Sequence, residues 1–435
     1  MIYCGKFLGF FGKWSKTCLL IVISYTMYPG NIFAKPYSSD KIQLTPTVDL
    51  DLKPVGVVNL PDYTLNIPDG FSASLFADNI QHARFMAVNE NDVLHVASFS
   101  TRHSGYWSRS DWKDGVVYAL PDADNNGRAD RTLIAADDLE WPHSIAFYKN
   151  ELYVADHDVI YRMRDRDGDG YYEERERFIT VPGIMGRASE HITHSLVFDE
   201  INEKLFVHVG SSCDVCREDD PERATILQFN ADGSGRRIYA SGLRNAVGMA
   251  LHPKTGQLWA TNNGHDREGS ALPPEFINII RDGSFHGWPL AYAYQNWIDF
   301  TVPYYKRRIL PLRTEDTTLV KTMDRPTILV DAHQAPMGIH FYAREQFPAL
   351  YHNQAFVAFH FGMTSSFDPG FKVSVIFSEP DGSNATIADF VTGFRPTGTN
   401  SYWAQPMGVV TDKRGNLYIS SDKNLAGIYR IHYNH

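Results

Sequence analysis

The residues best suited to chemistry in this sequence are a histidine and an arginine–asparagine pair that lies 53 residues further along the chain. His191 lies in EHITHSL (190–196) just before a predicted strand, and Arg244 and Asn245 lie in GLRNAVGMALHP (242–253) before another. A neutral histidine can remove a proton near neutral pH. An arginine grips a carboxylate with two parallel hydrogen bonds, and the asparagine adds an amide. These residue types suit an anion-binding site beside a general base, but neither fragment is decisive alone. A structural histidine and an arginine that hydrogen-bonds between elements are the alternatives.

Two aspartate-rich loops have the residue types and spacing to bind a hard cation. They read DADNNGRAD (122–130) and DRDGDGYYE (165–173), and both place alternate oxygen side chains around a tight glycine turn, which suits Ca²⁺. The possible ligands are Asp122, Asp124, Asn126 and Asp130 in the first loop, and Asp165, Asp167, Asp169 and Glu173 in the second. Neither loop has the glutamate at position twelve of an EF-hand. A structural Ca²⁺ site and a plain hairpin turn are therefore both open.

The N-terminal segment predicts export. Residues 1–34 contain three lysines, then an apolar run from Thr17 to Tyr28, then a small residue at Ala34, which is the order typical of a secretory signal peptide. The apolar run is shorter than the roughly 20 residues that span a bilayer. We therefore expect a periplasmic or secreted protein whose mature chain has no stable membrane insertion.

The mature chain would keep two cysteines, Cys213 and Cys216, in a CxxC pair. Outside the cytosol they are expected to form a disulfide with each other. A redox-active CxxC is the alternative, although no thioredoxin-like βαβ pattern surrounds it. An arginine follows Cys216, which excludes a CxxCH haem-attachment site.

The elements that position these residues are predicted by a hairpin pattern that recurs six times. An apolar stretch, a short polar turn and an alternating strand recur with gaps of 58, 53, 53, 98 and 61 residues between equivalent positions. Those positions are Leu94, Leu152, Leu205, Leu258, Phe356 and Leu417. Such repeats predict an all-β fold, a six-bladed β-propeller of four-stranded antiparallel blades. In the longest gap, residues 288–313 are predicted as a long loop, and a seventh blade there is the alternative.

Composition restricts the possible partners of this chain. Its 435 residues are 43% hydrophobic and 21% charged, which is typical of a globular protein. Its net charge is −10, which argues against a nucleic-acid partner. An anionic ligand must therefore be held by locally placed arginines and lysines. We predict an irregular lead-in over 35–65 and a single propeller domain over 66–435.

Several segments, in order, resemble the soluble quinoprotein glucose and sorbosone dehydrogenase family. They are HITHSLVFDEINEKLFVHVGSSCDVC, GLRNAVGMALHPKTGQLWATNNGHDREG, EFINIIRDGSFHGWP, DAHQAPMGIHFY, GFKV and PMGVVTDKRGNLYISSD. The resemblance runs from about Pro68 to Arg430. It implies a six-bladed propeller that binds pyrroloquinoline quinone (PQQ) and Ca²⁺ at the channel mouth and oxidises a sugar by hydride transfer to the quinone.

The resemblance also implies roles for individual residues. His191 matches the catalytic base, and Arg244 with Asn245 matches the pair that contacts PQQ, the arginine also stabilising charge as it develops. The backbone carbonyls of Gly264 and His265 match the protein ligands of Ca²⁺. The further groups expected around the cofactor are Arg84, His143, His333 and Lys372.

Two positions depart from the family pattern. Ser365 and Gln405 stand where arginines are expected, so two expected positive charges are absent.

From the resemblance as a whole we predict an exported PQQ- and Ca²⁺-dependent dehydrogenase of an aldose or sorbosone-like sugar, with an unidentified electron acceptor as its second partner. The alternative is a non-redox propeller, either a Ca²⁺-dependent lactonase-like hydrolase or a ligand-binding module that has lost catalysis.

Overall fold

A computed structural model describes residues 42–99, 114–183, 191–361, 370–399 and 401–434. The predicted signal peptide and Ser365 lie outside these residues. Six four-stranded antiparallel sheets confirm the predicted six-bladed β-propeller. Within the described ranges, no helix combines the length and the hydrophobicity needed to cross a bilayer.

Three strands precede the first complete blade, and three blades follow them without interruption. The leading strands are β1 (Lys53–Val57), β2 (Leu60–Ile67) and β3 (Phe71–Asp78). The first blade contains β4 (Ala83–Val88), β5 (Leu94–Ser98), β6 (Gly115–Leu120) and β7 (Leu133–Leu139). The second contains β8 (Ser144–Tyr148), β9 (Glu151–Ala155), β10 (Val159–Arg164) and β11 (Glu174–Thr180). The third contains β12 (His194–Asp199), β13 (Lys204–Val209), β14 (Thr225–Asn230) and β15 (Arg237–Ser241).

The fourth blade is interrupted by an insertion before its last strand. It begins with β16 (Met249–Leu251), β17 (Leu258–Asn262) and β18 (Glu275–Ile280). The insertion contains β19 (Ala291–Tyr292), β20 (Asn296–Trp297), α1 (Pro303–Ile309) and α2 (Thr314–Lys321), and β21 (Ile328–Val330) then completes the blade. The predicted long loop, residues 288–313, thus contains the helix α1 and a two-stranded hairpin, and helix α2 follows it. The described residues of the insertion form no seventh blade.

The last two blades close the ring. The fifth contains β22 (Pro336–Phe341), β23 (Ala355–Phe359), β24 (Lys372–Phe377) and β25 (Thr386–Val391). The sixth contains β26 (Pro406–Thr411), β27 (Leu417–Ser421) and β28 (Gly427–Tyr433), and β3 pairs with β28 as its fourth strand. One sheet therefore holds strands from both ends of the propeller, which fastens the ring against opening.

The six repeat positions explain why the chain folds into blades. Each lies in the second strand of its blade and is at most 3% exposed. Four of the second strands, β5, β17, β23 and β27, are buried at every residue. These strands are buried on both faces because they pack between neighbouring blades, so their small polar residues, such as Thr261 and Ser420, are buried as well. Stacking of these strands forms the core.

The predicted lead-in is more regular than expected. Residues 53–67 form the β1–β2 hairpin, with Asn59 in the left-handed region at its turn. Upstream, residues 45–48 hydrogen-bond to Leu329 and Ile387 on the fourth and fifth blades. The alternation of apolar and polar residues in β2 explains the strand, since one face is buried and the other exposed.

The first strands of all six blades surround the central channel. β4, β8, β12, β16, β22 and β26 contact one another in ring order. Because each blade begins with its innermost strand, the residues just before these strands meet at one mouth of the channel. The loops between second and third strands reach the same mouth.

Four buried histidines make the stability of the fold sensitive to acid. Burial lowers the pKa of His95, His194 and His286 to about 4 and that of His208 to about 3. The folded protein keeps them neutral, whereas the unfolded chain binds protons below pH 6.5. The free energy of unfolding is therefore highest above pH 6.5 and falls as the pH is lowered towards 4, by up to roughly 3 to 5 kcal/mol for each histidine.

We expect the melting temperature to be level above pH 6.5 and to fall steadily below it. In the His95→Gln variant this fall should be shallower, because one group that takes up a proton on unfolding has been removed. Calorimetry between pH 7.5 and 4.5 measures both slopes. An unchanged slope in the variant would contradict the assignment.

Candidate functional site

A belt of polar residues lines the channel mouth and links neighbouring blades. The His143 carbonyl accepts the Phe85 N–H (3.0 Å), and the His143 side chain bonds the His194 carbonyl through Nδ1 (3.2 Å). On the other side of the ring, the Gln405 amide donates to the His360 carbonyl (3.0 Å). The mouth therefore contains His143 from the predicted set, together with the uncharged Gln405.

His191 is held in one tautomer at this mouth. Its Nδ1 lies 3.1 Å from the Ser211 carbonyl oxygen and 2.9 Å from Ser211 Oγ. Ser211 Oγ uses its own proton to bond the Cys213 carbonyl at 2.6 Å, so it can only accept from the imidazole. Nδ1 consequently carries the proton, and the lone pair of the ring is on Nε2.

The surroundings of His191 also keep it neutral. Burial lowers its pKa well below 6.5, and the positive charge of Arg244 lowers it further. A neutral imidazole with its lone pair on Nε2 can accept a proton at physiological pH. The structure thus gives His191 the protonation state that a general base requires.

Asn245 packs beside His191 across Gly210. A Cβ on Gly210 would lie 2.5 Å from the His191 Cβ and 3.2 Å from Asn245 Oδ1, so only glycine fits there. The Asn245 amide donates to Asn263 Oδ1 (3.2 Å), while Asn245 Oδ1 is buried and has no hydrogen-bond partner in the described part of the chain. A buried unsatisfied oxygen is costly and suits a donor or a cation.

Arg244 is 4% exposed and is held by two carboxylates. Its Nη2 lies 3.0 Å from Asp214 Oδ1 and 3.0 Å from Asp266 Oδ2, and its Nε donates to the Asp214 carbonyl at 3.1 Å. These contacts fix the guanidinium plane and compensate its charge. The side chain is rigid before any ligand binds.

The other predicted cations are paired with aspartates as well. Arg84 Nη1 lies 2.8 Å from Asp422 Oδ2, and the guanidinium stacks 4.6 Å from the Phe99 ring centre. Lys372 Nζ lies 2.6 Å from Asp389 Oδ1. Since each of the three cations has an aspartate partner, these side chains alone do not make the strongly positive pocket that the sequence predicts.

Lys372 also lies in a different setting from the histidines of the mouth. With Gln334 it lines a cavity of about 950 Å³ between lead-in residues 44–52 and the fourth and fifth blades. His333 bonds the Gly269 carbonyl through Nε2 at 2.9 Å. Lys372 Nζ and His333 Nε2 thus have protein partners, whereas Asn245 Oδ1 has none among the described residues and His191 keeps the lone pair of Nε2. Lys372 and His333 are therefore weaker candidates for contact with a cofactor.

The loop carrying Gly264 and His265 is tied to the fifth blade by Glu275. One carboxylate oxygen of Glu275 accepts the Gly264 N–H (3.4 Å), and the other accepts the Ala335 N–H (2.7 Å). Burial raises the pKa of Glu275 to about 8. No described residue donates a hydrogen bond to the carbonyl oxygens of Gly264 or His265. These two oxygens have the chemistry of cation ligands.

The two aspartate-rich loops lie away from the mouth. They join the third and fourth strands of the first and second blades, which in an antiparallel blade places them at the opposite end of the propeller. In each loop, three carboxylates lie close together. Their oxygens accept backbone N–H groups of their own turn, as Asp165 does from Gly168 (2.7 Å) and Gly170 (2.9 Å). Ca²⁺ binding there stays a prediction.

Sequence reasoning missed Ser211, Asp214 and Glu275. Asp214 lies between Cys213 and Cys216, whose predicted disulfide the structure confirms, with Cα atoms 6.1 Å apart. An acidic residue enclosed by a short cross-linked loop is a signal that could have identified Asp214. Ser211 and Glu275 carry no signal beyond their places beside the ends of β13 and β18.

Comparison with known proteins finds one family model and several relatives that match this chain. A model described as glucose/sorbosone dehydrogenase matches residues 146–365, which include His191, Arg244 and the Gly264 loop. An uncharacterised protein of Borreliella burgdorferi is 26% identical over 384 residues, covering 85% of this chain and 91% of that protein.

Solved structures share the architecture. A calcium structure of a Trichoderma reesei carbohydrate-active enzyme of family AA12 superposes with a TM-score of 0.67 at 18% identity, covering 91% of this chain and 99% of that one. The holo form of the pyranose dehydrogenase PQQ domain from Coprinopsis cinerea gives a TM-score of 0.65 at 18% identity, covering 86% and 98%. At such low identity the likeness shows the propeller fold.

Proposed function

Since the chain belongs to the glucose/sorbosone dehydrogenase family, we propose that it oxidises a sugar hydroxyl with PQQ and Ca²⁺, with His191 as the general base. The observation that carries the proposal is the neutral His191, with Nδ1 protonated and Nε2 free to accept a proton, packed beside Asn245. The holo pyranose dehydrogenase domain and the calcium-containing AA12 structure, which share the fold, support this choice of cofactors.

The described residues offer a fitting set of contacts for these groups. Asn245 Oδ1 lacks a partner among the described residues, and the carbonyls of Gly264 and His265 accept no hydrogen bond from them. Oxygen atoms of this kind suit Ca²⁺. Arg244 would bind a carboxylate of the cofactor, with Arg84 as a second cation. PQQ carries three carboxylates, and both arginines are already paired with aspartates. A bound Ca²⁺ would therefore supply the additional positive charge that PQQ needs.

The reaction divides between base and cofactor. PQQ, when bound, would supply the acceptor for the hydride that leaves the sugar carbon. His191 Nε2 takes the proton of the hydroxyl on that carbon, so the carbon–oxygen single bond becomes a carbonyl. The Ser211 carbonyl and hydroxyl oxygens stay on Nδ1–H and stabilise the imidazolium. Arg244, held by Asp214 and Asp266, keeps its orientation throughout.

The test is to purify the mature protein, add PQQ and Ca²⁺, and follow both quinone absorbance and dye reduction across a panel of aldoses, sorbosone and polyols. We expect saturable PQQ binding at micromolar concentration and dye reduction with at least one aldose or sorbosone-like sugar. Absence of PQQ binding under these conditions would rule the proposal out.

A second candidate function is a Ca²⁺-dependent lactonase-like hydrolase. The observation in its favour is the group of uncharged and acidic oxygens at the mouth, where Asn245 contacts Asn262 and Asn263 and where Glu275 bonds Gly264. Hydrolysis of sugar lactones with Ca²⁺ but without PQQ would favour this function over the first.

We also propose that the protein is exported to the periplasm or secreted. The Cys213–Cys216 disulfide supports this location, because disulfides persist in oxidising compartments. Fractionation of cells, with detection of a chain shortened by about 34 residues as a signal peptide requires, tests the assignment.

A further inference from the structure

We propose that the disulfide-closed loop Cys213–Cys216 acts, through Asp214, as the element that positions Arg244 and the Gly264 loop for cofactor binding. The inference rests on the proposed function, since it gives Arg244 the task of holding a carboxylate of PQQ. Asp214 is a positioning residue and touches neither substrate nor cofactor.

The Asp214 carboxylate binds four donors and is 1% exposed. Arg244 Nη2 lies 3.0 Å from Oδ1, and the Asp266 backbone N–H donates to the same oxygen at 2.9 Å. The Tyr305 hydroxyl (2.9 Å) and Arg267 Nε (3.2 Å) both donate to Oδ2. One buried carboxylate therefore connects the predicted cofactor arginine, the loop after Gly264 and helix α1 of the insertion.

The backbone of Asp214 adds two further contacts. Its carbonyl oxygen accepts Arg244 Nε at 3.1 Å and the indole N–H of Trp288 at 2.9 Å. Arg244 is thus held at both Nε and Nη2 by a single residue, which fixes the plane of its guanidinium. A preoriented guanidinium loses less entropy when it binds a carboxylate.

The disulfide restricts the conformations of this loop. Cys213 and Cys216 enclose Asp214 in a four-residue segment, and the Cys213 carbonyl also receives the Ser211 hydroxyl that holds His191. A cross-link removes alternative conformations from the chain, so the carboxylate needs little ordering to meet its donors. The same short segment thereby supports the base on one side and the cofactor arginine on the other.

The first experiment measures PQQ affinity by quenching of protein fluorescence in the presence of Ca²⁺. Asp214→Asn keeps the size of the side chain and the backbone carbonyl contacts but removes the charge that holds Arg244. The double variant Cys213→Ser/Cys216→Ser removes the cross-link alone. We expect the dissociation constant of PQQ to rise about tenfold or more in each. In an Arg244→Ala background, Asp214→Asn should cost much less affinity, because only its effect through the Gly264 loop remains.

Asp316→Asn is the matched control. Asp316 is a buried aspartate of the insertion that binds Arg217 through both oxygens (3.1 and 2.6 Å) and has no contact with Arg244. This variant should lower the melting temperature and leave PQQ affinity within about twofold. If Asp316→Asn weakens PQQ binding as much as Asp214→Asn, or if Asp214→Asn costs as much affinity in the Arg244→Ala background as in the wild type, Asp214 is merely structural and the inference is overturned.

A second measurement does not depend on the cofactor. Hydrogen exchange of the protein without PQQ should quicken in peptides covering 264–268 and 303–309 when Asp214 or the disulfide is altered. An asparagine at position 214 leaves one acceptor oxygen for the four donors of the carboxylate, and loss of the cross-link frees the loop, so the hydrogen bonds to the Asp266 N–H and the Tyr305 hydroxyl weaken. Failure of the wild-type protein to bind PQQ would refute the proposed function, while quickened exchange would still support the positioning role. Unchanged exchange at 264–268 in both variants would overturn the inference whatever the binding result.

Discussion

Replacing His191 with alanine should nearly abolish sugar oxidation and leave PQQ binding intact. We expect kcat to fall by about 10²- to 10⁴-fold, the usual contribution of a positioned general base. His191 Nε2 is the free lone pair of a ring whose Nδ1 proton is held by Ser211, so the substitution removes the group that takes the proton of the sugar hydroxyl. Stopped-flow reduction of the bound quinone by sugar measures the step directly, and absorbance titration measures binding.

The control for this prediction is His95→Gln, which replaces a buried histidine of the first blade outside the mouth. It should retain kcat within about twofold at neutral pH. Full quinone reduction by His191→Ala would show that another group takes the proton.

The pH profile gives a separate check on the same residue. Because burial and Arg244 hold the pKa of His191 below 6.5, the imidazole is neutral across the neutral range and becomes protonated only in more acidic solution. The acid limb of kcat/KM is therefore expected below pH 6.5, with a level profile above it. An acid limb above pH 7 would contradict the neutral ground state.

Replacing Arg244 with alanine weakens PQQ binding by roughly 30-fold or more. Truncating one partner of a buried charged pair costs about 2 to 5 kcal/mol. Here Asp214 and Asp266 would be left near each other without the guanidinium that lies 3.0 Å from both. We expect a higher dissociation constant for PQQ and a lower melting temperature, measured by fluorescence titration and calorimetry.

Arg237→Ala is the matched control for the arginine. Arg237 also makes a two-bond pair with an aspartate, Asp282, at 2.6 and 2.8 Å, but its side chain is 42% exposed on the fourth strand of the third blade. It should change neither PQQ affinity nor kcat. If Arg244→Ala binds PQQ with wild-type affinity, the arginine has no role in holding the cofactor.

The blades could be predicted from sequence because the paired strands of each hairpin are close together in the chain. Leu152 and Leu205 mark hairpins whose two strands are joined by a few residues, so the repeat reports the second strand of each blade directly. The insertion after Trp288 was harder to predict, since its short helices α1 and α2 are held by contacts such as Arg217 with Asp316 rather than by a strong sequence pattern of their own. The hairpin β1–β2 was missed for a related reason, because part of it pairs with the fifth blade near Thr392.

For the candidate site too, some features could be predicted from sequence and others depend on the tertiary structure. By itself the sequence determined the residue types that can do the chemistry, His191 with Arg244 and Asn245, and the six repeats that bring them to one mouth. Only the tertiary structure decided their state: Ser211 fixes the proton on His191, and Asp214 holds Arg244. It also decided that Arg84 and Lys372 face aspartates. The physical reason is that tautomer, pKa and net charge depend on neighbours brought close by ring closure, as with Arg84 and Asp422, 338 residues apart in the chain and 2.8 Å apart in space.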